Sequence, residues 1–590
     1  MKKLTLKQQI EKDLNVAVRC VIKHLPFLGE FKITSSSQEG VDYQCNDCFA
    51  LFKKLDKNMS WVSPFDLAES ISKNFKSEFT EINVSKPAFL NFRIKNSQLV
   101  KIAKDINKNG KLQLENQEKQ TVFFDYGGAN IGKELHAGHL RTIIVGEALK
   151  RVYNAFGHDT IADTYLGDWG LPLGLIIAQL CENGGIKDGK LWVDITLEML
   201  NDVYPLASKR KNIEPEFKKL AEDITAKLQN FVEPYYSIYK KIREVSVTRI
   251  KKNYERMGCT FDLYNGESNA QPYVDNVLGI LEKQGLTYID KDCLMINVAK
   301  DGEHIPMPKK NPADKNEPQL YKNPMPPVIL QKGNGGDLYA TSDIATILYR
   351  QRDFSPDKYI YVTDFRQSLH FTQVFRIIKK GNIVAKNIEF VHIGTGAVVG
   401  TDGKPFKTRD GGTIRLEEVV DMVKDAVINR GASAESAERI GVSALKFADL
   451  SNNVKTDFTF DMEKFTSFEG KTGPYLLYTV ARINSILNKA IDLNTCLEEE
   501  IVSSTERNIL TSIIKLVDSY PIALHTNTLN TIADSIYILA QTFNIFYGQT
   551  NILRETDTKK QSHYLGLCKL VKTSIEFALW SLGIDTVETM

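Results

Sequence analysis

Apolar positions follow three different rhythms along this chain, and the changes of rhythm divide it. Leu4, Leu6, Ile10 and Leu14 stand among lysines and glutamines at helical spacing, which predicts a first helix packed inward. Residues 1 to 113 read as a small α+β unit, and segment 98–118, rich in Lys, Asn, Gln and Glu, reads as a polar helix or linker out of it. Val122-Phe123-Phe124 then predicts a buried strand ending in a Gly127-Gly128 turn, with a helix from about the two histidines His136 and His139 to Phe156. A second strand and turn follow over 159–170, so the order is that of a parallel βαβ unit. From about 175 to 335, long polar helices interrupted by prolines, Pro308 and Pro312 among them, read as an insertion. The parallel fold resumes with the apolar strand Lys358-Tyr359-Ile360-Tyr361-Val362. Beyond about 440 nearly everything is amphipathic at helical spacing, as with Tyr475, Leu476, Tyr478, Ile483 and Ile486, and a helical bundle is expected.

Composition narrows the class without changing this division. A chain of 590 residues with 42% hydrophobic and 25% charged residues is that of an ordinary soluble protein of several domains. Eight cysteines do not make a disulfide framework in so long a chain, and its start carries no basic-plus-apolar leader, so a cytoplasmic protein is expected. The longest apolar run, 171–180, is about half of what a membrane span requires, and no membrane association follows. A formal net charge of +2 neither demands nor excludes a nucleic-acid partner, because local patches decide that.

Candidate chemistry concentrates at two places. The strand, turn and helix start over 122–141 aim backbone N–H groups and the positive end of a helix dipole at whatever lies above the turn, a place suited to phosphate. His136 and His139, three apart, share one face and can point donors at one anion, and Gly138 between them permits something flat, such as a nucleotide, to lie close. A zinc half-site is the other reading, but the following 19 residues supply one more His and no Cys. The second place is 394–412, with glycines on both sides and three cations, Lys404, Lys407 and Arg409, within six residues: a mobile phosphate clamp, or a basic surface loop. Cys45-Asn46-Asp47-Cys48 is a lone CxxC without a second pair at metal spacing and reads as structural, so no protein-bound zinc is expected. Gly470-Lys471-Thr472 ends like a P-loop but has Phe465 where a glycine is required, and Gly394-x-Gly396 has Val399 where a third glycine should stand.

His136-Ala137-Gly138-His139 resembles the HIGH signature of class I aminoacyl-tRNA synthetases, and the longer stretch Ala129-Asn130-Ile131-Gly132-Lys133-Glu134-Leu135-His136-Ala137-Gly138-His139-Leu140-Arg141-Thr142 resembles arginyl-tRNA synthetases in particular. Gly167-Asp168-Trp169-Gly170, Phe261 to Ser268, the second-signature-like Lys404-Pro405-Phe406-Lys407, Ser467 to Leu476 and the chain end Leu582 to Met590 extend the likeness over essentially the whole chain. Pro405-Phe406 replaces the usual Met-Ser of the KMSK signature, and Lys471 stands where Asn is usual.

The resemblance implies a multidomain α/β fold: an N-terminal α+β domain (1–113) that touches the tRNA elbow, a Rossmann-like parallel-sheet catalytic domain (114–440) with the insertion at about 175–335, and a C-terminal all-α helical bundle (441–590) that binds the anticodon. It implies ATP-dependent attachment of L-arginine to tRNA(Arg), with Mg2+ carried on the ATP phosphates and no metal site on the protein, by a monomer. His136, His139, Lys404, Lys407 and Lys133 would be the catalytic cations and donors, with Gly138 also at the ATP. Asn130, Glu267, Tyr339, Asp343 and Gln367 would surround arginine, although spacing alone makes Asp343 a helix N-cap. Phe89 and Asn91 would meet a tRNA base, or Phe89 is simply core. Two rivals are a HIGH-type adenylyl transferase that makes a cofactor, and a tRNA-binding relative without catalysis.

Overall fold

Four parallel strands organise the molecule, in the sheet order Glu389–Thr395, Lys358–Asp364, Thr121–Tyr126, Asp159–Asp163. This computed structural model describes residues 5–22, 29–36, 38–55, 61–112, 114, 118–187, 190–191, 194–300, 302–303, 305–306, 321–322, 325–333, 336, 338–406, 413–501 and 503–590. Lys407, Arg409, Pro308 and Pro312 lie outside the described residues. The sheet is covered on both faces, which explains why its central strands read as continuous apolar runs: Phe123, Phe124, Tyr359 and Ile360 are fully buried. From Thr121–Tyr126 the chain moves to Asp159–Asp163 on one side and later returns with Lys358–Asp364 on the other. That reversal opens a crevice at the carboxyl ends of the strands, where open α/β sheets bind ligands.

The crossover helix Leu140–Ala155 is buried on nearly all sides, so its polar residues are matched within the protein. Arg141 Nε donates to Asp449 at 2.8 Å, on helix Ala437–Leu450, and Glu147 takes both Lys150 and Arg151. The expected insertion has two parts. Helices Leu171–Glu182, Leu197–Ile213, Pro215–Gln229 and Tyr235–Arg256 come first. The chain then rejoins the sheet edge, Leu263 bridging Asp163 and Gly266 bridging Leu166 in parallel, before an antiparallel sheet of Thr287–Asp290, Cys293–Ile296 and Val328–Gln331.

In the N-terminal region an antiparallel sheet in the order Thr34–Ser35, Tyr43–Cys45, Phe89–Ile94, Thr80–Ser85 packs with helices Leu6–Val21 and Pro64–Asn74. Cys45 and Cys48 are core residues there, and burial pushes both thiols up, Cys48 to about 12. The polar stretch after the sheet is more than a linker: helix Asn96–Asn109 buries Leu99, Val100, Ala103 and Ile106, and Asn107 Nδ2 donates to Gly566 O at 3.0 Å. Single-face burial by a short apolar stripe was hidden in the sequence by its many lysines and asparagines.

Helices Gly473–Lys489, Ser504–Thr526, Asn530–Gln549 and Thr558–Ser581 form the C-terminal bundle. Arg507 reaches Asp42 of the N-terminal region at 2.6 Å, and Tyr43 Oη donates to Asp518, so the two ends of the chain pack together. Among the described residues no helix is long and apolar enough to cross a membrane.

Candidate active site

The loop leaving Thr121–Tyr126 turns sharply because Gly127 has φ +94°, and a Cβ there would lie 2.7 Å from Tyr254 Oη. It then runs past Asn130, which bridges Gly167, into a short 3-10 turn, Ala137–His139, that leads into the crossover helix. His136 and His139 stand side by side, ring centroids 4.0 Å apart. Their ring nitrogens accept from the main chain: Gly138 N donates to His136 Nδ1 at 3.0 Å and His136 N donates to His139 Nδ1 at 3.1 Å.

With Nδ1 an acceptor, the proton of each neutral ring sits on Nε2. Burial lowers both, His139 to about 3 with the neighbouring His136 adding to it, and His136 also through burial and then Lys133. At neutral pH the pair is therefore two uncharged donors. One expectation changes here: the backbone N–H groups of His136 and Gly138 are spent on the rings rather than aimed at an anion. The His136 imidazole also lies against Gly138, 2.8 Å from where a Cβ would be.

A cleft of about 400 Å³ opens in front of the histidines, lined among others by Asn130, Lys133, Glu134, Asn201, Tyr204 and Arg415. The Lys133 ammonium lies 4.2 Å over the Tyr204 ring. The segment that follows the glycine-rich loop is stitched to the histidine loop: Ala137 N donates to Ile414 O and Leu416 N to Leu135 O, both at 2.9 Å. This pins the far end of that loop beside the cleft. Its near end is held by Phe406, stacked 4.2 Å from Phe460, so the aromatic at the Met-Ser position is a packing residue. Lys404 is exposed and does not line the cleft. Gly396 belongs to the packing too, since a Cβ would meet Thr456 O at 2.4 Å.

Beside the cleft lies an acidic pocket. Helix Tyr339–Phe354 has Leu338 at its N-cap, so Asp343 is one turn inside the helix and is not the cap that spacing suggested. Tyr339, Asp343, Thr346 and Arg350 fall on one face. Tyr339 is 69% exposed at the rim; burial, then Glu267 and Tyr204, raise its phenol, which places it between the pocket and the cleft. Asp343 accepts from His370 Nε2 at 2.5 Å. Thr346 bonds Tyr165 Oη, and Arg350, fully buried, holds Asp125 at 2.7 Å and Asp163 at 2.8 Å beneath the pocket. Burial outweighs that arginine for Asp125, whose carboxyl is pushed up to about 7.

Glu267 opens the short helix Glu267–Ala270 just after the chain rejoins the sheet. Its carboxyl is pushed up to about 8 by burial and then by the negative charges of Asp343 and Asp168, although the Trp169 N–H donates to it. Among the described residues no Lys or Arg pairs with Glu267 or with Asp343, whose partner is His370, and two such acids suit a planar cationic group. Gln367 is exposed on the turn Phe365–Gln367 that follows Lys358–Asp364, over the same end of the sheet.

Sequence reading passed over Asp168, Arg243, His370, Arg350 and Arg415. Asp168 lay inside the Gly-Asp-Trp-Gly turn already singled out, and Arg415 directly follows the glycine-rich loop; the others gave no local signal. One helix of the insertion, Tyr235–Arg256, ties the region together. Tyr239 and Arg243 bond Asp168, Ser246 Oγ accepts from Gly132 N at 3.0 Å, and Arg249 pairs with Glu417 on the helix after the glycine-rich loop.

Far from this site, Phe89 is half-buried with its edge toward Phe49, so it is not plain core. Asn91 is only 6% exposed and its amide is bonded at both ends: Gln44 Nε2 donates to its oxygen and its nitrogen donates to Ser85 Oγ, each at 2.8 Å.

Among the described residues no three His, Cys, Asp or Glu side chains are grouped to hold a metal ion. The chain matches the family model described as tRNA synthetases class I (R), catalytic domain, over residues 101–462. Residues 476–590 match the DALR anticodon binding domain, and residues 4–94 match the arginyl tRNA synthetase N terminal domain. The arginine–tRNA ligase of Alkaliphilus oremlandii is 36% identical over 573 residues, 93% of this chain and 94% of that protein. That of Agathobacter rectalis is 35% identical over 598 residues, covering 95% and 96%. The fold is that of Plasmodium falciparum arginyl-tRNA synthetase, with TM-score 0.80, 24% identity and all of both chains covered. The Thermus thermophilus enzyme superposes with TM-score 0.77 at 21% identity, covering 98% of this chain and 100% of that one. Three family models in the family's order and relatives matched along almost their whole length leave no other assignment: the chain belongs to the arginyl-tRNA synthetases.

Proposed function

We propose that this protein attaches L-arginine to tRNA(Arg) at the expense of ATP, through an arginyl-adenylate, releasing AMP and pyrophosphate. The observation that carries the reading is the adjacency of two unlike sites in one crevice: uncharged imidazole donors facing an open cleft, and the half-buried Glu267–Asp343 pair beside it. ATP takes the cleft, with His136 and His139 donating through Nε2–H to its phosphates and Gly138 keeping the His136 ring in place. Lys133 adds a positive charge from the rim. Lys404 and Lys407 close from the glycine-rich loop onto the leaving pyrophosphate. Magnesium arrives on the phosphates and neutralises part of their charge.

Arginine takes the acidic pocket. Its guanidinium, a planar fork of donors, lies against Glu267 and Asp343 with Tyr339 beside it. Asn130 and Gln367 hold its amino-acid end toward the cleft. The carboxylate of arginine then attacks the α-phosphate, the bond to pyrophosphate breaks, and the terminal ribose hydroxyl of tRNA takes the arginyl group while AMP leaves. No protein nucleophile is required, so catalysis is positioning plus stabilisation of charge on the α-phosphate and pyrophosphate.

In the same reading residues 1–113 hold the tRNA elbow, with Phe89 offering a ring to a base and Asn91 behind it, 114–440 hold the chemistry, and 441–590 hold the anticodon. The enzyme works as a cytoplasmic monomer. Pyrophosphate exchange into ATP tests the whole: it should require arginine and be supported by bulk tRNA. Binding of tRNA without arginine-dependent exchange or arginylation would mark a tRNA-binding relative without catalysis.

A further inference from the structure

The buried carboxylate of Asp168 is the most heavily bonded acid beside the acidic pocket, and it touches neither cleft nor solvent. It is fully buried. Ser268 N donates to Oδ1 at 2.9 Å, and Oδ2 accepts from Ser268 Oγ at 2.8 Å, Arg243 Nε at 2.9 Å and Tyr239 Oη at 3.0 Å. The two Ser268 bonds fasten the residue immediately after Glu267. Arg243 also donates through Nη2 to Tyr264 O at 2.5 Å, so one guanidinium holds both Asp168 and the extended stretch that leads to Glu267. Gly266, immediately before Glu267, has no room for a side chain: a Cβ would sit 2.3 Å from Asp168 Oδ1.

Both neighbours of Glu267 are thus fixed against one carboxylate, which is itself fixed to the insertion helix Tyr235–Arg256. A carboxylate that accepts four donors in a buried place is a rigid reference point, because giving up any one of them leaves a desolvated polar group unpaired. It also stands close enough to Glu267 to raise the energy of its charged form. Such a neighbour makes Glu267 bind a cation more eagerly than a lone buried glutamate would.

We propose that Asp168 is the positioning residue of the amino-acid pocket: through Ser268 and the Gly266 backbone it sets where the Glu267 carboxylate stands, and its charge sharpens the preference of Glu267 for a guanidinium. This rests on the reading of Glu267 as a guanidinium partner. Asp168 touches no substrate, and it acts only through Glu267.

Asp168→Asn preserves shape but must turn its NH2 toward either Ser268 N or Arg243 Nε, neither of which can accept. The Michaelis constant for arginine in tRNA-supported exchange should rise about tenfold or more while that for ATP stays within about twofold, the mark of a displaced ligand on one substrate only. Ser268→Ala removes one of the four bonds, that of the hydroxyl, and leaves the backbone N–H bond and the ion pair with Arg243; its rise should be about threefold. Glu267→Gln tests the underlying reading separately. If Glu267→Gln leaves the arginine constant unchanged, the guanidinium reading fails. If Glu267→Gln raises it and Asp168→Asn and Ser268→Ala do not, the positioning role is overturned while that reading stands. The double variant Asp168→Asn, Glu267→Gln should be no worse for arginine than Glu267→Gln alone, since a residue acting through Glu267 has nothing left to position. Multiplied losses in the double variant would mean a merely structural part. Should Asp168→Asn fail to fold, Ser268→Ala carries the same comparison against Glu267→Gln.

Discussion

The two sides of the crevice are built on opposite electrostatic plans. The histidine side centres on backbone and uncharged rings, with Lys133, Glu134 and Arg415 along the cleft wall: each histidine is held by a main-chain N–H, burial keeps both neutral, and the cleft in front of them is open. The acidic side sets half-buried acids over buried charge: Asp343 and Glu267 are partly exposed, and below them Arg350 is locked between Asp125 and Asp163. A tetraanionic substrate with its own magnesium needs placed donors more than it needs further fixed charge, whereas one guanidinium must be told from one ammonium, and only paired carboxylates at a set distance can do that. The difference teaches that selectivity was put where the substrates are similar.

The sharpest way to break this comparison is on the charged side. Asp343→Asn keeps the shape and removes the charge that a guanidinium would meet, so the Michaelis constant for arginine should rise by about 10² to 10³-fold, with that for ATP nearly unchanged. Steady-state exchange kinetics measure both, and equal movement of the two would dissolve the division into sides. Lysine should remain a poor substrate without any editing step, since it would leave carboxylate oxygens unpaired.

On the neutral side, His139→Ala removes a donor used mainly in the transition state. Adenylate formation should fall about 10²-fold while tRNA affinity, read by filter binding, stays put.

Acidity separates the sides without mutation. Glu267 must be ionised to accept a guanidinium, and its carboxyl stands at about 8 in the empty pocket, so arginine binding expels a proton below that pH. Arginine affinity should therefore rise with pH, by up to about tenfold per unit below 8, and level off above it. The histidines, whose titration burial has moved down, stay neutral through that window, and the ATP constant should be flat. Calorimetry in buffers of different ionisation heat counts the proton directly; no proton release at pH 7 would place Glu267 outside the binding event.

The smallest effect is expected at the rim. Lys133 sits over Tyr204 in the cleft wall, where solvent screens its charge, and Lys133→Ala should raise the ATP constant only about threefold. A loss as large as that of His139→Ala would mean that the loop closes far more tightly over the phosphates than an open cleft suggests.

How legible these two sides were differs for a physical reason. The histidine side is local: strand, glycine turn and histidines are consecutive, so the order of residues from Val122 to Arg141 already spells the geometry, and only the aim of the N–H groups was misread. A ring that folds back onto the next residue's backbone leaves no mark in spacing. The arginine side is assembled from four distant stretches. Spacing made Asp343 a cap, because an acid after Thr341 and Ser342 in front of an apolar run looks like a helix start, and only the preceding turn of helix, with Leu338 extended, shows otherwise. Helix Asn96–Asn109 was half-read for a related reason, its four buried apolar positions being diluted by polar neighbours that face away.

By itself, then, the sequence determined the periodic elements, the parallel sheet, the bundle and the strand–turn–helix around the two histidines, since each depends on neighbours a few residues apart. Tertiary structure alone decided which charges meet: Arg350 with Asp125 and Asp163, Arg141 with Asp449, Asp168 with Arg243 and the turn of Glu267. A buried carboxylate is tolerable only where the whole fold delivers its partners, and those partners lie 75 to 308 residues away along the chain. Periodicity carries no record of such distances.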